Sequence, residues 1–268
     1  MSTELARRVG TAVIVLPVLI AVVVLAPPPA SVALVIGALG LAWWELTALL
    51  AAGGLGPARW LGALVAATAF TDVTLAPTPP LTPGAVLLLL AIAAARRQPP
   101  ATIVASSGPT LAAALYLGLL GGTLASLRTF EPVADGSARL LLLLGIVMGG
   151  DTMAYFSGRA LGRHRLAPAI SPGKTVEGAV GGLLGGAAAG VIAHWVAFPS
   201  RPAWILGLLG GAVAIAGTLG DLFESALKRW AGVKDSGALL PGHGGMLDRL
   251  DSLLFGAPLL YYYFLCSP

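Results

Sequence analysis

Between Val9 and Ala26 the chain carries no charged residue, and apolar runs of similar length recur to its C-terminus. In a bilayer every backbone polar group must be paired within the protein, so a run of about 20 apolar residues reads as a membrane-spanning helix. Soluble domains carry about 25% charged residues. This chain of 268 residues carries 10%, against 57% hydrophobic, and its mean hydropathy is +0.88. These values predict an all-α polytopic integral membrane protein and exclude an ordinary soluble domain. The 36 glycines and 20 prolines fit that class, because membrane helices tolerate both and glycine lets helices approach closely.

Nine spans are expected: Val9–Ala26, Ser31–Ala52, Trp60–Ala76, Leu81–Ala95, Thr110–Leu127, Leu140–Gly158, Gly178–Phe198, Ala203–Leu222 and Ser252–Cys266. Pro27-Pro28-Pro29, Gly53-Gly54, Pro77 to Pro83 and Pro99-Pro100 separate the earlier ones. The basic head Met1–Arg8 and the first run have the outline of a signal peptide. No small-residue cleavage site followed by a soluble domain appears, so a retained first helix is expected. With the N-terminus in the cytoplasm, the inner basic residues are Arg7, Arg8, Arg59, Arg96, Arg97, Arg159, Arg163, Arg165, Lys174, Lys228, Arg229, Lys234 and Arg249. Only Arg128, Arg139 and Arg201 fall outside, which satisfies the positive-inside rule. The chain reads as a single transmembrane domain. Residues 1–148 hold helices of weak motif content, and residues 149–268 hold the helices and cytoplasmic loops that carry chemistry.

The net charge of +4 and pI near 9.6 come from dispersed residues. They suit lipid headgroups, phosphate ligands and topology, not nucleic acid. The lone Cys266 can form no internal disulfide. Gly181/Gly185, Gly186/Gly190 and Gly207/Gly211 form G-x-x-x-G pairs. Such pairs pack helices within one subunit or between two, so a homodimer through them is one option.

One polar block interrupts this pattern: SALKRWAGVKDSGALLPGHGGMLDRLD, from Ser225 to Asp251. Charge near bilayer hydrocarbon costs about 2.5–3.5 kcal/mol per residue, so such a cluster marks a functional site by default. Ser225, Lys228-Arg229, Lys234-Asp235, Pro241, His243-Gly244-Gly245, Asp248-Arg249 and Asp251 follow one another at fixed spacing. In these residues the chain closely resembles the phosphatidate cytidylyltransferase (CDP-diacylglycerol synthase) family. The resemblance runs from about Gly149 to the end, with strong motifs only in Ser171–Gly178 and Gly220–Asp251.

The residues themselves point to phosphate and metal chemistry. On a helix, Asp221, Glu224 and Ser225 share a face, as do Asp248 and Asp251. Two acidic faces meeting near the membrane surface could hold Mg²⁺, which favours one or two carboxylates plus substrate phosphates. The alternative is that they pair with Arg249, Lys228 or Arg229, and Glu224 four residues before Lys228 reads as a helix ion pair. Ser171-Pro172-Gly173-Lys174-Thr175 ends like a P-loop. That motif needs glycine where Pro168 stands, and a preceding strand, so it is rejected. A Ser/Lys/Thr cluster at a helix start still suits a phosphate, or a plain helix cap. The family has similar Ser-Pro-x-Lys-Thr and Asp-x-x-Ala-Tyr elements, the latter met by Asp151, Ala154 and Tyr155. Asp151 could support the bundle or contact substrate. Glu45, Asp72 and His194 are as readily interfacial or bundle-pairing residues as functional ones.

The resemblance implies transfer of a cytidylyl group from CTP to phosphatidate, giving CDP-diacylglycerol and pyrophosphate for phospholipid biosynthesis. It also implies Mg²⁺, with a second cation as an option, and a bacterial inner membrane with the site facing the cytoplasm. Metal is assigned to Asp221, Asp248 and Asp251, with Lys174 completing the catalytic set. Ser171, Lys174, Thr175, Lys228, Arg229, Lys234, His243, Gly244, Gly245 and Arg249 are assigned to substrate. A CTP-dependent lipid-alcohol kinase is the near alternative, and an anion transporter the alternative from another class. The one-sided charge disfavours a transporter, whose sites lie at midplane. A CDP-alcohol phosphotransferase is disfavoured because Asp135-Gly136-Ser137-Ala138-Arg139 is one residue short of its signature.

Overall fold

The structure, a computed structural model, describes residues 16–76, 78–237 and 244–267. Nine α-helices occur among them: α1 Leu16–Leu25, α2 Pro28–Ala52, α3 Arg59–Leu75, α4 Thr82–Ala95, α5 Pro100–Thr129, α6 Gly136–Leu161, α7 Val176–Val196, α8 Ala203–Trp230 and α9 Leu247–Cys266. Each overlaps one expected segment, though α5 and α9 begin earlier and α8 ends later than expected, and residues 9–15 of the first lie outside the described residues. Proline opens α2 and α5 and sits in the first turn of α4, where its missing N–H leaves no hydrogen bond unmade.

Five helices, α2, α5, α6 with its preceding 3-10 turn, α7 and α8, are long and apolar enough to cross a membrane. The 14 residues of α4 reach about 21 Å, short of the roughly 30 Å of a bilayer core. Large apolar side chains such as Leu87, Leu184, Ile192, Trp195 and Leu208 face outward, as a lipid-facing surface requires.

Successive helices run in alternate directions. Arg128 near the end of α5 donates to Ala26 O just past α1 (3.2 Å), and Ser126 Oγ reaches Val73 O near the end of α3. Asp72 there caps α4, accepting from Leu81 N and Thr82 N at 2.8 Å each. At the other end, the backbone of Gly53 after α2 lies against the ring of Trp230 closing α8. Ala58 N before α3 donates to Thr110 Oγ1 of α5 at 2.9 Å.

A departure from the all-α expectation joins α6 to α7. Arg165–Ala167 (β1) and Ser171–Thr175 (β2) form an antiparallel hairpin, Arg165 opposite Thr175 and Ala167 opposite Ser171. Pro168 and Pro172 bar a helix there. Arg165 Nη1 donates to Pro172 O at 2.7 Å. Glu177, in the first turn of α7, accepts from Arg163 N and from His164 N and sits 2.7 Å from His164 Nδ1.

The glycine-rich faces of α7 and α8 pack within the chain. A Cβ on Gly186 would lie 2.6 Å from Gly210 O, and one on Gly190 would strike the Leu206 backbone. Gly181 and Gly185 face Ser157 and Met153 of α6, while Gly207 and Gly211 face Val191 and Leu183. All six positions of the G-x-x-x-G pairs therefore meet neighbouring helices of the same chain.

Candidate active site

The polar residues of the block gather at one end of the bundle, where α8 ends, α9 begins and the hairpin folds over. Thr175 closes β2 and caps α7, its Oγ1 accepting from Gly178 N at 3.1 Å. That cap aims Lys174 back across the hairpin, and its Nζ stands 2.6 Å from Asp221 Oδ2 on α8. Lys174 and Asp221 are 25% and 40% exposed, so this pair stays open to solvent. Asp221 Oδ1 also lies within 3.3 Å of Ser225 Oγ.

Two turns past Asp221 on α8, Lys228 is held between Glu224 (2.9 Å) and Asp248 of α9. This trio is largely shielded from water: Glu224 is 1% exposed, and Lys228 and Asp248 are about one-tenth exposed. The second oxygen of Asp248, Oδ2, accepts from Gly245 N and Ser236 Oγ at 2.8 Å and from Ser236 N at 3.2 Å. Gly244, with φ +73°, gives the backbone the left-handed turn that brings Gly245 N to this carboxylate.

Asp251 is buried, its Oδ1 2.6 Å from Ser252 N, and its backbone lies against Gly220 beside Asp221. Asp151 of α6 is exposed. Asp248 and Asp251, both at the start of α9, thus meet different partners. Asp248 belongs to the Lys228 trio, whereas Asp251 packs against Gly220 and lies by Ser252 N.

Of the remaining expected residues, Ser171 opens β2, and Arg229 donates a long 3.4 Å hydrogen bond to Ile170 O beside it. Lys234 and Arg249 are exposed at the same end. His243 lies outside the described residues. The sequence reading left out one contributor and undervalued another. Ser236 bridges to Asp248, and Glu45 of α2 accepts from Met246 N and Leu247 N at 2.9 and 2.8 Å. No sequence pattern joins Glu45 to partners 201 residues away; only a carboxylate inside an apolar helix marks it.

Among the described residues no three His, Cys, Asp or Glu side chains stand together as a ready metal cage. The donor set does fit a cation completed by substrate phosphates, which needs only one or two carboxylates. Asp221 suits that role because it is half-exposed and its ion-pair partner Lys174 is also partly open to solvent. Asp248 suits it less, since both its oxygens already accept from Lys228, Ser236 and Gly245.

Fold and site together define a helical integral membrane protein that concentrates paired cations and carboxylates at one end of its bundle. The sequence matches the cytidylyltransferase family over residues 6–267, and the chain belongs to that family. Over 153 residues it is 44% identical to a phosphatidate cytidylyltransferase of Brucella abortus, covering 57% of this chain and 55% of that relative. A Staphylococcus haemolyticus protein of the same name is 46% identical over 127 residues, 47% of this chain and 49% of the relative. For one from Synechocystis sp. the identity is 47% over 135 residues, 50% of this chain and 45% of the relative. The chain spans about half the length of the curated relatives it matches.

Proposed function

We propose that this protein is a phosphatidate cytidylyltransferase, joining CTP and phosphatidate into CDP-diacylglycerol and pyrophosphate. One observation carries the reading: the ion pairs Lys174–Asp221 and Lys228–Asp248 both lie on the last turns of α8, at one end of an apolar bundle. Such an arrangement suits a reaction between a soluble polyanion and a lipid phosphate. The names of the relatives support the same assignment.

In this reading a phosphate oxygen of phosphatidate attacks the α-phosphorus of CTP. The new P–O bond forms as the bond to the β-phosphate oxygen breaks, and pyrophosphate leaves with that electron pair. A phosphate monoester has its second pKa near 6, so the nucleophile is mostly ionised at pH 7 and no general base is required. The task of the protein is to hold two polyanions in line and stabilise the leaving group. Lys174, Arg229, Lys234 and Arg249 are the exposed or half-exposed cations suited to the phosphates. The buried Lys228 fixes α8 against α9. A phosphate arriving at Lys174 would draw its ammonium from Asp221 and free that carboxylate. Mg²⁺, when bound, would supply charge neutralisation on the transferring phosphates, and Asp221 with Asp151 or Asp251 would hold it.

We place the site on the cytoplasmic face of a bacterial inner membrane, with nine spans and the N-terminus inside. The alternating helix directions and the basic residues gathered at the site end support this. The deciding experiment supplies purified protein in detergent with labelled CTP, phosphatidate and Mg²⁺. A lipid-soluble cytidine product with stoichiometric pyrophosphate is expected. Release of CDP and no cytidine-labelled lipid would mean a kinase, and neither product would end the enzymatic reading.

A further inference from the structure

We propose that Glu45 is a positioning residue of the candidate site, acting through Ser236 and the start of α9. Glu45 lies in an apolar stretch of α2 and is 8% exposed. A carboxylate so placed is costly unless its oxygens are satisfied. Here Oε1 accepts from Met246 N at 2.9 Å, and Oε2 accepts from Leu247 N at 2.8 Å and lies 3.1 Å from Ser236 Oγ. The first two donors belong to the N-terminal end of α9, whose dipole favours an anion. The carboxylate therefore caps the helix that carries Asp248 and Asp251, and it does so from a helix remote in sequence.

The fit is steric as well as electrostatic. A Cβ on Gly237 or on Gly245 would run into the Glu45 side chain. Both glycines therefore lie directly against the Glu45 carboxylate. Ser236 Oγ stands between Glu45 Oε2 and Asp248 Oδ2, and Asp248 in turn holds Lys228. Glu45 touches neither Lys174 nor Asp221, so its influence on chemistry must pass through this chain of contacts.

The kinetic part of the test rests on the cytidylyl-transfer reading; the exchange part does not. Full-length wild type, Glu45→Ala and Glu45→Gln are compared in detergent. For Glu45→Ala, amide hydrogen exchange at Met246 and Leu247 should rise about tenfold or more, while the hairpin amides of residues 165–175 stay unchanged. kcat should fall about tenfold to a hundredfold with KM for CTP within about threefold, as expected for misplaced groups. Glu45→Gln, which keeps the shape and one carbonyl acceptor, should recover part of both. Exchange rising equally in the hairpin, or kcat per folded molecule equal to wild type, would make Glu45 a general structural anchor and overturn the proposal. If wild type itself forms no CDP-diacylglycerol, the functional reading fails, and the exchange comparison still decides whether Glu45 orders the α9 entry.

Discussion

Lys174 Nζ lies 2.6 Å from Asp221 Oδ2, so an ion pair joins the hairpin between α6 and α7 to α8. The pair is partly open to solvent, where an ion pair contributes at most about 1 kcal/mol to stability. Lys174→Ala should leave thermal unfolding in detergent nearly unchanged. A charge-assisted hydrogen bond to a phosphate contributes about 1.5–3 kcal/mol, so kcat/KM for CTP should drop by about one to two decades. Unchanged kinetics would reduce Lys174 to a surface charge.

Asp248→Asn should be far more damaging than Asp235→Asn. Asp248 is largely shielded and balances Lys228 beside the buried Glu224, whereas Asp235 is exposed. Breaking a buried pair costs about 3–5 kcal/mol because an uncompensated charge stays behind. The Asp248 variant should therefore lose both activity and melting temperature. A loss of activity with unaltered melting and an altered Mg²⁺ requirement would instead make Asp248 a metal ligand.

Gly186→Ala should lower the melting temperature, and Gly37→Ala should not. A Cβ at Gly186 would press on Gly210 O and Ala214 Cβ, while at Gly37 nothing lies within 4 Å. Overpacking of a close helix contact costs about 1–3 kcal/mol. Equal melting for the two variants would refute the close α7–α8 contact.

Single cysteines at Arg163 and Lys234, in a background lacking Cys266, should resist an impermeant thiol reagent in intact cells. A cysteine at Glu131, exposed at the opposite end of the bundle, should react. Labelling of the first two from outside would invert the proposed orientation.

Helix existence was legible in the sequence because a lipid environment leaves an apolar run few alternatives. Wherever the chain carries such a run, it must pair its backbone internally. The β1–β2 hairpin was not legible. It lies between spans, where prolines forbid a helix without selecting a replacement, and its pairing depends on α6 and α7 being anchored nearby. The Ser-Pro-Gly-Lys-Thr stretch reads in the sequence as a phosphate-binding cluster, with a plain helix cap as the alternative; Thr175 does cap α7, which leaves Lys174 beside Asp221.

The sequence by itself determined the membrane class, the nine helical segments, the Glu224–Lys228 pair and the polar block, because each depends on local composition or on neighbours one helical turn apart. Only the tertiary structure decided which charges meet. On the helix alone, Asp248 and Asp251 share a face, yet Asp248 meets Lys228 while Asp251 Oδ1 lies beside Ser252 N. Helical periodicity sets the direction of a side chain within its own helix, but the partner it meets there depends on how α2, α8, α9 and the hairpin pack. For the same reason Glu45, the residue farthest in sequence from the polar block it serves, carried no local sign of its partners.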